Sequence, residues 1–145
     1  MALQDLKART KQFALRIINL YHSLAKVGGG AEVLGKQLLR SGTSVGANYR
    51  AARIAKSDKD FLNKLKISEE EADESAFWIE LLIEGKLFEK ERLLPLLEEA
   101  RELTAILTAS IKTHKSKHLK NLHHQLHTLY FEPCTLYFPL TLTLS

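Results

Sequence analysis

Between Leu34 and Leu82 nearly every third or fourth residue is apolar or small, and that spacing leaves little choice of fold. Leu34, Leu38, Ser41, Val45, Tyr49 and Ala52 share one helical face. Phe61, Leu65, Ser68, Ala72, Ser75, Ile79 and Leu82 share another. The pattern breaks once, at Lys56-Ser57. There Ser57 is placed to accept the Asp60 amide, and Asp58 and Asp60 put negative charge at the positive end of a helix. The stretch from Ser41 to Ile83 therefore predicts two helices joined by a tight turn. Helices with one apolar stripe each bury it against other helices.

The first of these helices is rich in small residues. Gly42 and Gly46 lie inside it, and each costs about 1 kcal/mol relative to alanine in a helix interior. Close approach of a neighbouring helix is the usual compensation. Ser44, Asn48, Ala51 and Ala55 form a second small strip beside the apolar one. Ser41, Gly42, Ser44, Gly46 and Asn48 are accordingly assigned to helix packing, with Glu70, Glu71 or Glu74 of the next helix as candidate hydrogen-bond partners. That next helix has a mixed second face of Ile67, Glu71, Glu74, Trp78 and Leu81. Phe77, Trp78 and Leu81 cannot all face one core, so they are expected in a subunit interface. Burial against the first helix is the competing account.

The remaining helices follow the same logic. Leu6, Thr10, Phe13, Ile17, Leu20, Leu24 and Val27 form one stripe, and Gly28-Gly29-Gly30 ends that helix. The triglycine is not a phosphate-binding loop, because it lacks the preceding strand and the Lys-Ser/Thr signature. Gly85 is expected to close the third helix, and Leu87 or Phe88 to plug the end of the core. Leu93, Leu97, Ala100, Leu103, Leu107 and Ile111 form a fourth stripe. Pro95 fixes its start nearby, and the helix is expected to run to about Lys117. The fold class is thus all-α, an antiparallel up-down-up-down four-helix bundle over residues 1–117. Residues 118–145 are expected to form an atypical tail, disordered or loosely docked, with SKHLKNLHHQLH as an alternative prolongation of the fourth helix. Its last part, TLYFEPCTLYFPLTLTLS, is strand-like by propensity.

Charge narrows the function. From Lys36 to Lys66 eight basic residues (Lys36, Arg40, Arg50, Arg53, Lys56, Lys59, Lys64, Lys66) face two acids, Asp58 and Asp60, whereas Ile67 to Glu84 holds seven acids and no base. Arg40, Arg50, Arg53, Lys56, Lys59, Lys64 and Lys66 are the candidate nucleic-acid-binding residues. Without interleaved aromatics, contact would be to phosphates with little sequence preference. The alternative is that these cations pair with the acidic third helix of a neighbouring copy. Lys36, Arg40 and Arg50 are expected to point to solvent or to a partner.

No catalytic, metal or cofactor site is expected. Ser41, Ser44 and Asn48 have no base on their helix, and a nucleophilic serine needs one. The Glu69–Glu74 acids lack the Glu-x-x-His pairs of a di-metal bundle. The pairs His114/His118 and His123/His127 have helical spacing but no third ligand. A single cysteine, Cys134, fits a cytoplasmic protein. No signal peptide is legible, no run reaches the ~18 apolar residues of a membrane span, and no membrane partner is expected.

The run Ser41-Gly42-Thr43-Ser44-Val45-Gly46-Ala47-Asn48, followed by Phe61, Leu65, Glu70, Ala72, Glu74 and Ser75, resembles the 23S rRNA-intervening-sequence proteins. The likeness covers about residues 3–117. Tyr49-Arg50-Ala51-Ala52 stands where many members carry Glu-Gly after the asparagine. The chain is also similar to the accessory protein of diversity-generating retroelements, a basic bundle that binds nucleic acid and a reverse transcriptase. The resemblance implies an antiparallel four-helix bundle and a ring-like homo-oligomer, a pentamer. It implies no settled biochemical activity. The reading is a non-enzymatic oligomeric bundle that binds RNA or DNA backbone through the second helix and the following turn. The alternative is an assembly or adaptor protein whose ring recruits an unidentified protein partner.

Overall fold

The structure is a computed structural model, and it describes residues 3–131, with side chains over 6–126. Four helices follow one another: α1 Leu3–Val27, α2 Gly29–Arg53, α3 Asp58–Glu84 and α4 Lys90–Phe131. Two compact units divide the chain, residues 1–111 and residues 112–145.

In the first unit the helices run up-down-up-down. Contacts of α1 with α2 pair Ile17 with Gly42 and Thr10 with Gly46. Those of α2 with α3 pair Ser41 with Ser75 and Val45 with Ser68. Arg101 and Thr108 on α4 pair with Glu80 and Glu69 on α3, and Arg92 and Glu99 on α4 pair with Ser23 and Arg9 on α1. In each case rising numbers on one helix meet falling numbers on its neighbour, so the bundle is antiparallel and α4 closes it against α1.

The predicted stripes are the core. Phe13, Ile17, Leu24, Leu38, Val45, Tyr49, Leu65, Ile79, Leu82, Leu93, Leu103 and Leu107 are all buried. Burial of each large side chain is worth roughly 1.5–3 kcal/mol. Val27 is the exception: placed on the α1 stripe by spacing, it is 59% exposed. It is the last residue of α1, where the chain turns away from the core.

The connections are short. A single residue, Gly28, separates α1 from α2. Its φ of 75° and ψ of −169° belong to a region essentially reserved for glycine. Ser57 caps α3 as the sequence predicts, with the Asp60 amide donating to its Oγ at 3.1 Å. The third helix ends at Gly85 as expected, but the left-handed residue of the stop is the next one. Gly85 has an ordinary right-handed φ of −73°, and Lys86 takes the left-handed conformation at φ 52°. The Lys86 amide donates to the Ile83 carbonyl at 3.0 Å and the Leu87 amide to the Leu82 carbonyl at 3.0 Å. This is a Schellman stop with a lysine where glycine is usual. Gly85 is held to its position by space instead, since a Cβ there would lie 2.8 Å from the Leu81 carbonyl oxygen. Leu87 and Phe88 both pack against the core, as expected of the plug.

The fourth helix begins at Lys90 and runs past Lys117 to Phe131. Thr128–Phe131, strand-like by propensity, are helical. The rest of the predicted tail, residues 132–145, lies outside the described residues. No helix among the described residues is long and apolar enough to cross a membrane.

Candidate nucleic-acid interface

The packing residues and the basic residues occupy neighbouring faces of α2. Gly42 does what its sequence position suggests: an added Cβ would sit 2.0 Å from Ile17 Cδ1. Gly46 is less constrained, with the Thr10 carbonyl oxygen at 3.4 Å from its would-be Cβ, an ordinary contact. Gly35, which the sequence reading passed over, is tight against Leu24 and Tyr21 at 3.1–3.2 Å. The small strip of α2 is bridged to α3 by serines, while the predicted glutamates Glu71 and Glu74 meet Arg40 instead. Ser75 Oγ lies 2.9 Å from Ser41 Oγ and 2.7 Å from the Glu71 carbonyl, and Ser68 Oγ donates to the Val45 carbonyl at 2.8 Å. All three serines are fully buried, where short hydroxyls satisfied by a facing helix fix its register. Asn48 turns back to its own helix, donating to the Ser44 carbonyl at 2.9 Å.

Arg40 is drawn across to α3. Its guanidinium donates to both Glu71 carboxylate oxygens at 3.2 Å and also pairs with Glu74. That pair holds the Glu74 carboxyl below its usual range, with the Trp78 indole N–H (3.0 Å) adding to the effect. Lys66 sits 3.8 Å from Glu70 on its own helix. Two of the seven predicted binding cations therefore have carboxylates of this same chain beside them. Phe77 is 49% exposed with its ring tilted against that of Trp78 at 5.0 Å, while Trp78 packs against the core and Leu81 is half-buried.

The other end of α2 is different. Arg50 and Arg53, in its last turn, are exposed, as are Lys56 and Lys59 around the turn into α3. Lys64, one turn further on, is half-buried. Antiparallel pairing brings the start of α1 to this end, and with it Lys7 and Lys11, two cations the sequence reading left out of the site. A groove of about 240 Å³ runs between the helices, lined by Lys7, Lys11, Thr43, Gly46, Ala47 and Arg50 among others. It adjoins a wider opening of about 500 Å³ bordered by Lys7, Ala47, Arg50, Ala51, Arg53 and Ile54. Small side chains thus form the floor and cations form the rim. Among the described residues none of Lys7, Lys11, Arg50, Arg53, Lys56 or Lys59 has a carboxylate within 4.0 Å. Asp5, Asp58 and Asp60 are the acids nearest to them in sequence. Tyr49 is buried beneath this surface. Burial pushes its phenol up, and the nearby Arg53 charge acts in the opposite sense.

Residues 4–109 match the family model of the 23S rRNA-intervening sequence protein. The chain belongs to that family. A similar solved structure is that of a protein with unknown function from the S23 ribosomal protein family, from Bacteroides thetaiotaomicron VPI-5482, determined by crystallography at 1.70 Å. It shares 42% sequence identity and a TM-score of 0.70 with this chain, covering 77% of it and 99% of its own length. No match is found among curated proteins. The family match ends two residues before the first compact unit does, so the groove, the serine bridge and the Arg40 cluster all lie within the intervening-sequence protein domain. Among the described residues there is no group of three or more His, Cys, Asp or Glu arranged to hold a metal ion.

Proposed function

We propose that the protein binds the phosphate backbone of RNA or DNA through the cationic end of the bundle, as a self-associating, non-enzymatic protein. The observation that carries this reading is the groove between α1 and α2, where Lys7, Lys11, Arg50 and Arg53 rim a floor of small residues and, among the described residues, have no carboxylate partner. Backbone neutralisation by lysine and arginine supplies most of the affinity of such contacts. Among the described residues no aromatic side chain lines the groove, so bases have nothing to stack on there and sequence preference is weak. Lys56 and Lys59 extend the surface around the turn, and self-association repeats it. Arg40 acts instead in joining α2 to α3.

A second reading rests on Phe77. Half-exposed beside Trp78, it suits an assembly surface that recruits another protein or another copy.

Binding of a labelled RNA and a labelled DNA by fluorescence anisotropy separates the two. The triple variant Arg50→Glu, Arg53→Glu, Lys56→Glu is expected to lose binding with unchanged helical content by circular dichroism. Unchanged affinity in that variant removes the groove from the account. Phe77→Ser is expected to leave nucleic-acid affinity per subunit intact.

A further inference from the structure

Beyond Ile111 the fourth helix belongs to the second compact unit, and this part lies past the family match. Leu119, Leu122 and Leu126 recur there at steps of three and four and so share a face; they are 65%, 47% and 45% exposed. Lys112, Lys115, Lys117 and Lys120 are all exposed, and no aspartate or glutamate occurs from Lys112 to Phe131. At 100° per residue, Lys117, Lys120, Asn121 and His124 fall on the side away from the leucines, whereas Lys112 and Lys115 fall on the leucine side. Among the described residues the helix thus carries an exposed leucine face, with lysines both beside it and behind it and no acid to offset them.

We propose that this helix lies flat on an anionic lipid surface. The leucines enter the boundary between headgroups and acyl chains, and the lysines meet the headgroup anions. Charge complementarity selects this occupant. A second copy of the same helix brings lysine against lysine, with Lys115 close to the leucine seam and no acid on either strand to offset it. A nucleic acid satisfies the lysines and leaves the leucine face in water. A lipid interface takes both. The sequence beyond points the same way: from Thr128 to Ser145 there are two tyrosines, two phenylalanines and no lysine or arginine, a composition favoured at bilayer interfaces. The sequence-based expectation of no membrane partner rested on the lack of a spanning segment, and a helix lying in the interface needs none.

The test is co-sedimentation of the full chain with vesicles of phosphatidylcholine alone and of phosphatidylcholine with phosphatidylserine. Binding is expected only to the second kind, weakening with salt. Lys115→Gln, Lys117→Gln and Lys120→Gln together are expected to lower partitioning about a hundredfold. Leu119→Ser, Leu122→Ser and Leu126→Ser together are expected to reduce it severely at unchanged bundle stability. Arg50→Glu with Arg53→Glu is expected to leave it in place, which separates this surface from the groove. Absent binding, or equal binding to both vesicle kinds, overturns the proposal. Full binding by the leucine variant overturns it too and, if RNA competes with the vesicles, assigns the helix to a polyanion. Loss of binding in the Arg50/Arg53 variant places the lipid contact on the bundle instead.

Discussion

Gly42→Ala tests the packing of the bundle at its tightest point. The new methyl would lie 2.0 Å from Ile17 Cδ1, where carbon atoms at contact stand about 3.5–4.0 Å apart. Ile17 is fully buried, so its terminal methyl can move only into neighbouring core side chains. Overpacking of this kind costs typically 1–3 kcal/mol. Alanine recovers about 1 kcal/mol of helix propensity, leaving a net loss of up to roughly 2 kcal/mol. Gly46→Ala gains the same propensity against an ordinary 3.4 Å contact, so it is expected to be neutral or stabilising by up to about 1 kcal/mol. Ile17→Val removes the clashing methyl. Alone it costs about 0.5–1.5 kcal/mol, but combined with Gly42→Ala it relieves the overlap, giving a favourable coupling of about 1–2 kcal/mol. Denaturant unfolding followed by circular dichroism, at one fixed protein concentration, measures all four proteins. A Gly42→Ala protein as stable as Gly46→Ala, or strictly additive single and double variants, would refute the close-approach account.

Three further outcomes follow from the same geometry. Lys86→Gly is expected to stabilise the bundle by about 1 kcal/mol, because the left-handed residue of the α3 stop loses its Cβ conflict; unfolding midpoints check it. Arg9 forms a two-pronged pair with Glu99 (3.0 and 2.8 Å) and reaches Glu102 at 2.6 Å, with the Arg9 and Glu99 side chains only 18% and 19% exposed. Arg9→Ala is expected to cost about 1–3 kcal/mol in the same assay, by leaving Glu99 partly desolvated without its partner. Because Arg40 holds the Glu74 carboxyl below its ordinary value of 4.5, that pair stabilises the fold above about pH 4.5 and the stabilisation is lost as pH falls through the depressed value. Glu74→Gln is expected to flatten that acid limb of a stability–pH curve, and an unchanged limb counts against the pair.

Most of the bundle is legible in the sequence because helical stripes are local: Leu34 to Ala52 and Phe61 to Leu82 announce their faces without reference to anything distant. The Ser57 cap and the Gly28 stop are local signals too. What was missed depends on pairing between helices. Lys7 and Arg50 are far apart in sequence, and only the register that sets Thr10 beside Gly46 and Ile17 beside Gly42 brings them to one groove. Ile17, Gly42, Thr10 and Gly46 held that register in plain view, as bulky or polar positions facing small ones. Arg40 reads as an outward cation because its helix alone was considered, yet Glu71 and Glu74 stand opposite it. The α3 stop at Gly85 is legible in the sequence, whereas the division of labour, Gly85 serving space and Lys86 taking the left-handed turn, is not. Threonine and aromatic residues made residues 128–131 strand-like, and continuity with the helix before them overrode that weak preference.

The most direct test of the nucleic-acid reading is the salt dependence of RNA binding, measured by anisotropy with the intact protein. Six exposed cations at one end of the bundle, Lys7, Lys11, Arg50, Arg53, Lys56 and Lys59, predict that log affinity falls with log salt at a slope of about −4 on single-stranded RNA. Removing Lys7 and Lys11 as glutamines is expected to make that slope shallower by about 1.4. A flat salt dependence, or a slope untouched by losing both lysines, would contradict the assignment of the groove as the binding surface.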